Sequence, residues 1–342
     1  QGSGTALWTR GRDMVEATNI LGVDIMTGHW EFTYREEEIL DNVAAFNGEF
    51  LAHNTYATED ALFEGVPVYD EDSGHVFKPY TVRNMNGRRV AVIGQAFPYT
   101  PIANPKRFIP NWTFGIREDE LSELIEQIRE NEEPDAVILL SHNGMDVDLK
   151  LASRVSGIDF ILGGHTHDGM PRPIEVENSE GRTVVSNAGS NGKFLAVLDI
   201  EFGAGGVSGY RYKLLPVFSN LLPANTAMQA HIDSVRAPHR EVLEEELVVA
   251  DSLLYRRGNF NGSFDQLIVD ALREELDAEI ALSPGFRWGT TVLPGEAITM
   301  DRLLDQTCMT YPETYVREMG GGELRTVLES VADNLFNEDP YY

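Results

Sequence analysis

Four histidines stand where apolar runs stop, and together their side chains could hold a metal ion. His29 follows Val23-Asp24-Ile25-Met26-Thr27-Gly28, His142 follows Val137-Ile138-Leu139-Leu140-Ser141, and His165 and His167 follow Phe160-Ile161-Leu162-Gly163-Gly164. Imidazole is the commonest neutral metal ligand, suited to zinc, manganese or iron, and a bound metal acidifies water into a nucleophile. A lone histidine at such a place is ordinarily a hydrogen-bonded core or rim residue. Four in three equivalent positions favour a shared site. His53 also ends an apolar run, Phe50-Leu51-Ala52, and pattern alone admits it. His231 and His239 lie in a polar segment and are excluded as solvated. Two hard cations would also want anionic oxygen and a bridging carboxylate. Asp24 and Asp159 are the candidates by position, although both lie within strands rather than at their ends.

The elements that must position these histidines alternate. Helical spacing over 8–21 feeds a strand at 23–26, and a second helix over 36–46 feeds a strand at 50–53. Residues 56–76 are acidic and irregular, which predicts a loop carrying His75 in solvent. Asn86-Gly87 predicts a tight hairpin between strands at 80–82 and 89–93. The proline-rich 98–110 reads as an extended loop of the kind that walls a site. An amphipathic helix over 117–133, a strand to His142, a helix over 147–155 and a strand to Gly164 complete an open α/β sheet covered by helices, in which ligands gather at strand carboxyl ends. Strands at 183–187 and 194–200 are expected to pair across Gly189 to Gly192, with 210–215 as a third. A polar helix over 223–246 then connects to helices at 267–276 and 324–331.

The 342 residues are enough for two domains, and no internal repeat is evident. With 55 acidic against 27 basic residues the net charge is −28, which repels nucleic-acid phosphates and anionic membranes. Neither is expected as a partner. One cysteine, Cys308, excludes intrachain disulfides and cysteine metal clusters, and its setting suits a small buried hydrophobe. No stretch is apolar for the roughly 18 residues of a membrane span, and residues 1–6 lack a basic-then-apolar leader.

Gly-His-Trp-Glu-Phe at 28–32, Ser-His-Asn-Gly at 141–144 and Gly-Gly-His-Thr-His at 163–167 resemble the later motifs of the calcineurin-like metallophosphoesterases of the 5′-nucleotidase group. The first of these, with 1–10, 255–264, 284–291 and 331–342, is similar more narrowly to the SoxB thiosulfohydrolase family of bacterial sulfur oxidation.

The resemblance implies an α/β fold: a metallophosphoesterase-like catalytic domain with mixed sheets flanked by helices over 1–220, a connecting helix over 221–246, and an incomplete 5′-nucleotidase-like substrate domain over 247–342. It implies two metal ions, manganese by family expectation, with His29, His142 and His165 on one and His167 on the other. His29 and Trp30 stand where phosphoesterases carry a ligand asparagine and a catalytic histidine. Trp30 is expected to line the site. Arg287 matches a substrate-domain arginine able to grip a sulfonate or phosphate bidentately, while Ser283 stands where relatives tend to have asparagine.

The family's aspartate-x-histidine motif and bridging aspartate would precede Gln1, so the segment is expected to be truncated and inactive alone. In the intact protein the implied activity is hydrolysis of a cysteine S-thiosulfonate on the carrier SoxYZ, releasing sulfate, by a periplasmic monomer. The rivals are a 5′-nucleotidase-like phosphoesterase and a non-catalytic binding module.

Overall fold

A computed structural model describes residues 2–256, 261–283, 290–307 and 313–341. Its central element is a six-stranded mixed sheet. β1 (Tyr80–Met85) and β2 (Arg88–Gln95) form the expected hairpin, with both turn residues at positive φ, 53° at Asn86 and 82° at Gly87. That pair of conformations matches the right-handed twist of the strands, which is why Asn-Gly serves there. α1 (Glu118–Glu132), β3 (Ala136–Ser141), α2 (Met145–Arg154) and β4 (Phe160–Gly163) follow in the expected alternation. β5 (Ile174–Asn178) and β6 (Gly181–Asn187) complete the order β1-β2-β3-β4-β6-β5. The four inner strands run parallel and the two edges antiparallel.

Both faces of the inner strands are buried, which explains their unbroken apolar runs. Ala91, Ile93, Val137, Leu139, Ile161 and Val185 face α1 and α2, meeting Leu121, Ile125, Ile128 and Leu151. Their alternates Val90, Val92, Ile138, Phe160 and Val184 meet a long hairpin, β7 (Phe194–Gly203) with β8 (Gly206–Pro216), through Leu198, Ile200, Phe202, Val207 and Tyr210. Each buried Val, Leu, Ile or Phe among them contributes about 2 kcal/mol of burial energy.

The pairing expected between 183–187 and 194–200 is corrected. β6 joins the main sheet beside β4, whereas β7 pairs with β8 apart from it. Burial explains the difference: β6 is inaccessible on both faces along Thr183 to Asn187, while β7 and β8 carry charged residues such as Asp199, Glu201, Arg211 and Lys213 on one face. The helix expected over 8–21 is two helices, Gly4–Trp8 and Arg12–Leu21, separated by left-handed Arg10 and Gly11. Residues 56–76 hold a short strand, Tyr56–Ala57, and a helix, Glu59–Glu64, capped by the Thr58 hydroxyl and ended by left-handed Gly65. His75 is half-buried there, its ring 4.3 Å from that of Tyr56, rather than in solvent.

Contacts divide the chain into two units, Thr18–Asn225 and Gln1–Ala17 with Thr226–Tyr342. The first 17 residues therefore group with the C-terminal part and not with the sheet. That second unit contains Thr226–Arg236, the longest helix in the expected connector, and packs a small core of Ala250, Phe264, Val292 and Ile298. The buried Arg256 guanidinium donates to Asp265 at 2.7 Å beside that core. Among the described residues no helix is long and apolar enough to cross a membrane.

Candidate metal centre

The carboxyl ends of β3 and β4 lie side by side, so the turns that follow them meet. His142 is the first residue beyond β3, and its N–H donates to the Gln95 carbonyl at the end of β2, 2.9 Å away. His165 follows β4 by two residues and takes the left-handed conformation, φ 77°, as does His167 at φ 61°. Such backbone is uncommon for a residue with a side chain and persists where the surroundings enforce it. His29 arrives from the other direction. It precedes a 3₁₀ turn, Trp30–Thr33, anchored by Phe32, which is fully buried among Phe50, Phe77, Trp112 and Phe114. The Glu31 carboxylate accepts the His29 N–H at 2.7 Å and holds that turn.

Ligand nitrogens of His29, His142 and His165 all lie within 4.8 Å of one another. His29 Nδ1 and His142 Nε2 are 3.2 Å apart. Two nitrogens bound to one ion sit about 3–3.4 Å apart, given metal–nitrogen bonds near 2.1 Å, so the His29–His142 spacing fits a shared cation, with His165 close by. The charge state fits as well. Burial, and then the neighbouring imidazoles, push His29 far below the usual histidine range. The same causes in the same order bring His142 to about 3 and His165 to about 4. Burial also lowers His167, with Lys193 nearby adding to the effect and Asp168 opposing it. The rings are neutral at physiological pH, with lone pairs available to a metal.

Aromatic rings hold two of these imidazoles. Phe97 stacks on His165 with centroids 4.3 Å apart and planes at 26°, and touches His29 at 4.1 Å. Trp30, expected at the site, lies 5.1 Å from His29 on centroids. Phe97 is buried and lies just past β2, one residue before the proline-rich loop; the sequence offered no signal for it.

The remaining expected residues fall out as follows. His167 is outside the three-nitrogen cluster, though electrostatically coupled to each member. His53 does not join it. Fully buried, its Nε2 hydrogen-bonds the Gln95 side-chain oxygen, and burial lowers it to about 4 against the opposing pull of that bond. Asp159 is not an oxygen ligand: its carboxylate accepts from the Val137 N–H at 2.7 Å and from Arg129 at 3.1 Å, at the start of the sheet rather than the site end. Asp24 is exposed beside Gly48 and is likewise no ligand. Arg287 and Cys308 lie outside the described residues.

Beneath His142 runs a buried polar chain that sequence reasoning missed. Gln95 Nε2 donates to Asn143 Oδ1 at 3.1 Å, and Asn143 Nδ2 donates to Asp148 Oδ1 at 3.0 Å. The Ser141 hydroxyl donates to the same Asp148 oxygen at 2.6 Å. Burial raises the Asp148 carboxyl to about 7, against those two hydrogen bonds. A signal existed: Asp148 shares one helical face with Leu151, Ala152 and Val155, an acid where the pattern calls for an apolar residue.

No protein-family model matches the chain. Among solved structures it is similar to the sulfate thiohydrolase SoxB of Thermus thermophilus, at 37% identity and a TM-score of 0.91, over all of this chain and 60% of that one. A 5′-nucleotidase precursor, also from Thermus thermophilus, shares the fold at 22% identity and a TM-score of 0.76, over 90% of this chain and 62% of that one. In sequence the chain is 28% identical over 275 residues to the trifunctional nucleotide phosphoesterase YfkN of Bacillus subtilis, covering 76% of this chain and 18% of that protein. It is 28% identical over 283 residues to the 5′-nucleotidase of Rattus norvegicus, covering 76% and 46%. The chain thus spans well under two thirds of these two sequence relatives and 60% of SoxB. Motifs, mixed sheet and likenesses agree in their direction: the chain is similar to the 5′-nucleotidase-like metallophosphoesterases, and its likeness to SoxB spans all of this chain and 60% of that one.

Proposed function

We propose that the protein is a metal-dependent hydrolase of the thiosulfohydrolase type, acting on a cysteine S-thiosulfonate of a SoxYZ carrier in the periplasm as a monomer. The observation that carries this reading is His29. The nucleotidase-like motif has asparagine and then histidine there, whereas this chain has His29 followed by Trp30, and the likeness to SoxB extends over the whole chain.

His29, His142 and His165 would present three neutral nitrogens to one ion, and His167 a fourth to a second. A divalent pair, manganese by family expectation, supplies Lewis acidity toward the substrate oxygens and acidifies water. Around it, the chain's own residues orient and exclude. Phe97 and Trp30 form an apolar wall that keeps His29 and His165 fixed and limits water. Trp30, lacking a titratable proton, offers shape to the substrate where a phosphoesterase histidine would offer charge. Arg287 would grip the sulfonate oxygens with its planar fork. In the reaction, water adds to the terminal sulfone sulfur, the sulfur–sulfur bond breaks, and sulfate leaves a persulfide on the carrier cysteine. Water supplies the proton that the persulfide takes up, and a second proton goes to solvent.

The second reading, a nucleotide phosphoesterase, draws on the names of the sequence relatives. One experiment separates the two. The intact protein, supplied with Mn²⁺, is given a thiosulfonate-loaded carrier and, separately, nucleoside monophosphates. Sulfate release with negligible phosphate release is expected. Phosphate release without sulfate would overturn the thiosulfohydrolase reading in favour of the second.

A further inference from the structure

We propose that Asp148 is a positioning residue of the metal centre, a buried carboxyl that sets the His142 turn and braces the strand end leading to His165. It deepens the reading of His142 and His165 as ligands and rests on it. The carboxyl belongs to neither turn. It sits on the first turn of α2 and is fully buried, a costly place for an acid that does nothing.

One of its oxygens collects both residues that flank His142. Ser141 donates its hydroxyl at 2.6 Å and Asn143 its amide at 3.0 Å, while the Asn143 N–H returns to the Ser141 hydroxyl oxygen at 3.1 Å. The closed triangle leaves the residue between them little rotational freedom. The other oxygen has no hydrogen-bond partner and lies against Gly163, where a side chain would begin 2.6 Å from it. Gly163 ends β4, two residues before His165. The next glycine, Gly164, is also tightly packed: a side chain there would begin 3.2 Å from the Nδ1 of His142. The two ligand turns therefore pack through glycine backbone, with Asp148 as the spacer between them. A second tie runs from the same helix, since the Met145 N–H donates to the Thr166 hydroxyl at 3.1 Å, between His165 and His167.

Groups that orient ligands from behind typically change metal affinity by about 10- to 100-fold when removed. The test uses the intact protein, with Co²⁺ as the probe because its visible spectrum reports ligand geometry. Asp148→Ala should weaken Co²⁺ binding at least about tenfold and change the visible bands. Asp148→Asn keeps an acceptor for Ser141 and Asn143, and should restore both affinity and spectrum. A merely structural role would lower the melting temperature of Asp148→Ala and leave the Co²⁺ spectrum of the folded fraction unchanged, which would overturn the proposal. Where Asp148→Ala does not fold, Ser141→Ala removes one side of the triangle with little loss of volume. It should shift affinity and spectrum in the same direction, and an unchanged spectrum there would also overturn the proposal. His165→Ala serves as the separate control. Wild-type Co²⁺ binding by that variant would sink the ligand reading itself, and the proposal with it, whereas lost binding there with an unaltered Asp148→Ala site sinks only the proposal.

Discussion

At the scale of single residues, the histidines were readable because each ends an apolar run, and a strand end is a place the backbone fixes. Their neighbours were not. Phe97 touches two of the three clustered imidazoles, yet its contacts join β2 to two distant turns, and nothing local in Gln95-Ala96-Phe97-Pro98 marks that. His53 shows the converse. It ends an apolar run like the others, but its ring faces Gln95, because which neighbour a strand end meets is decided by sheet order and not by pattern. Phe97→Ala should cost about 3–4 kcal/mol of stability through the cavity it leaves, measured by urea unfolding. It should also weaken metal binding, since His165 loses its stacking partner. A loss below about 1 kcal/mol with unchanged metal content would show that the ring contact does not hold the imidazoles.

At the scale of elements, α1, α2, β3, β4 and the β1–β2 hairpin were legible from periodicity and turn chemistry, because each is specified within its own length. The partner of β6 was not, since a strand buried on both faces reads alike whichever neighbour it takes. α2 also carries an acid, Asp148, whose titration should be visible in stability. The folded state raises Asp148 from 3.8 to about 7, chiefly by burial. The folded protein therefore holds that proton more tightly than the unfolded chain, and the contribution, full below pH 3.8, is lost as pH rises through 7. His53 acts in the opposite sense. Lowered to about 4, its contribution is full above pH 6.5 and lost as pH falls through 4. Comparing the wild type with Asp148→Asn cancels His53 and the clustered imidazoles, which titrate in both. The wild type should lose roughly 1 kcal/mol relative to the variant for each pH unit between about 4 and 7, followed by urea unfolding at each pH. A parallel pair of pH profiles would place the carboxyl in contact with water.

At the scale of the molecule, the net charge of −28 acts on stability and on cation binding in opposite directions. Self-repulsion among the carboxylates works against compactness, and dissolved salt relieves it, so the melting temperature should rise with NaCl. The same field concentrates divalent cations around the protein. Because the clustered imidazoles are neutral, they contribute no long-range attraction of their own. Raising NaCl from about 0.1 to about 1 M shortens the screening length from about 10 Å to about 3 Å, and Mn²⁺ affinity should then weaken by about tenfold. Carboxylates immediately beside the metals would give a similar slope, and a second measurement distinguishes them. Glu126 and Glu130 are exposed on α1, and replacing both with lysine makes the net charge less negative without touching the site. The salt slope of Mn²⁺ binding should become shallower in that double variant, while the melting temperature at low salt should rise. An unchanged slope would assign the attraction to the immediate ligands and leave the acidity of the surface with solubility alone.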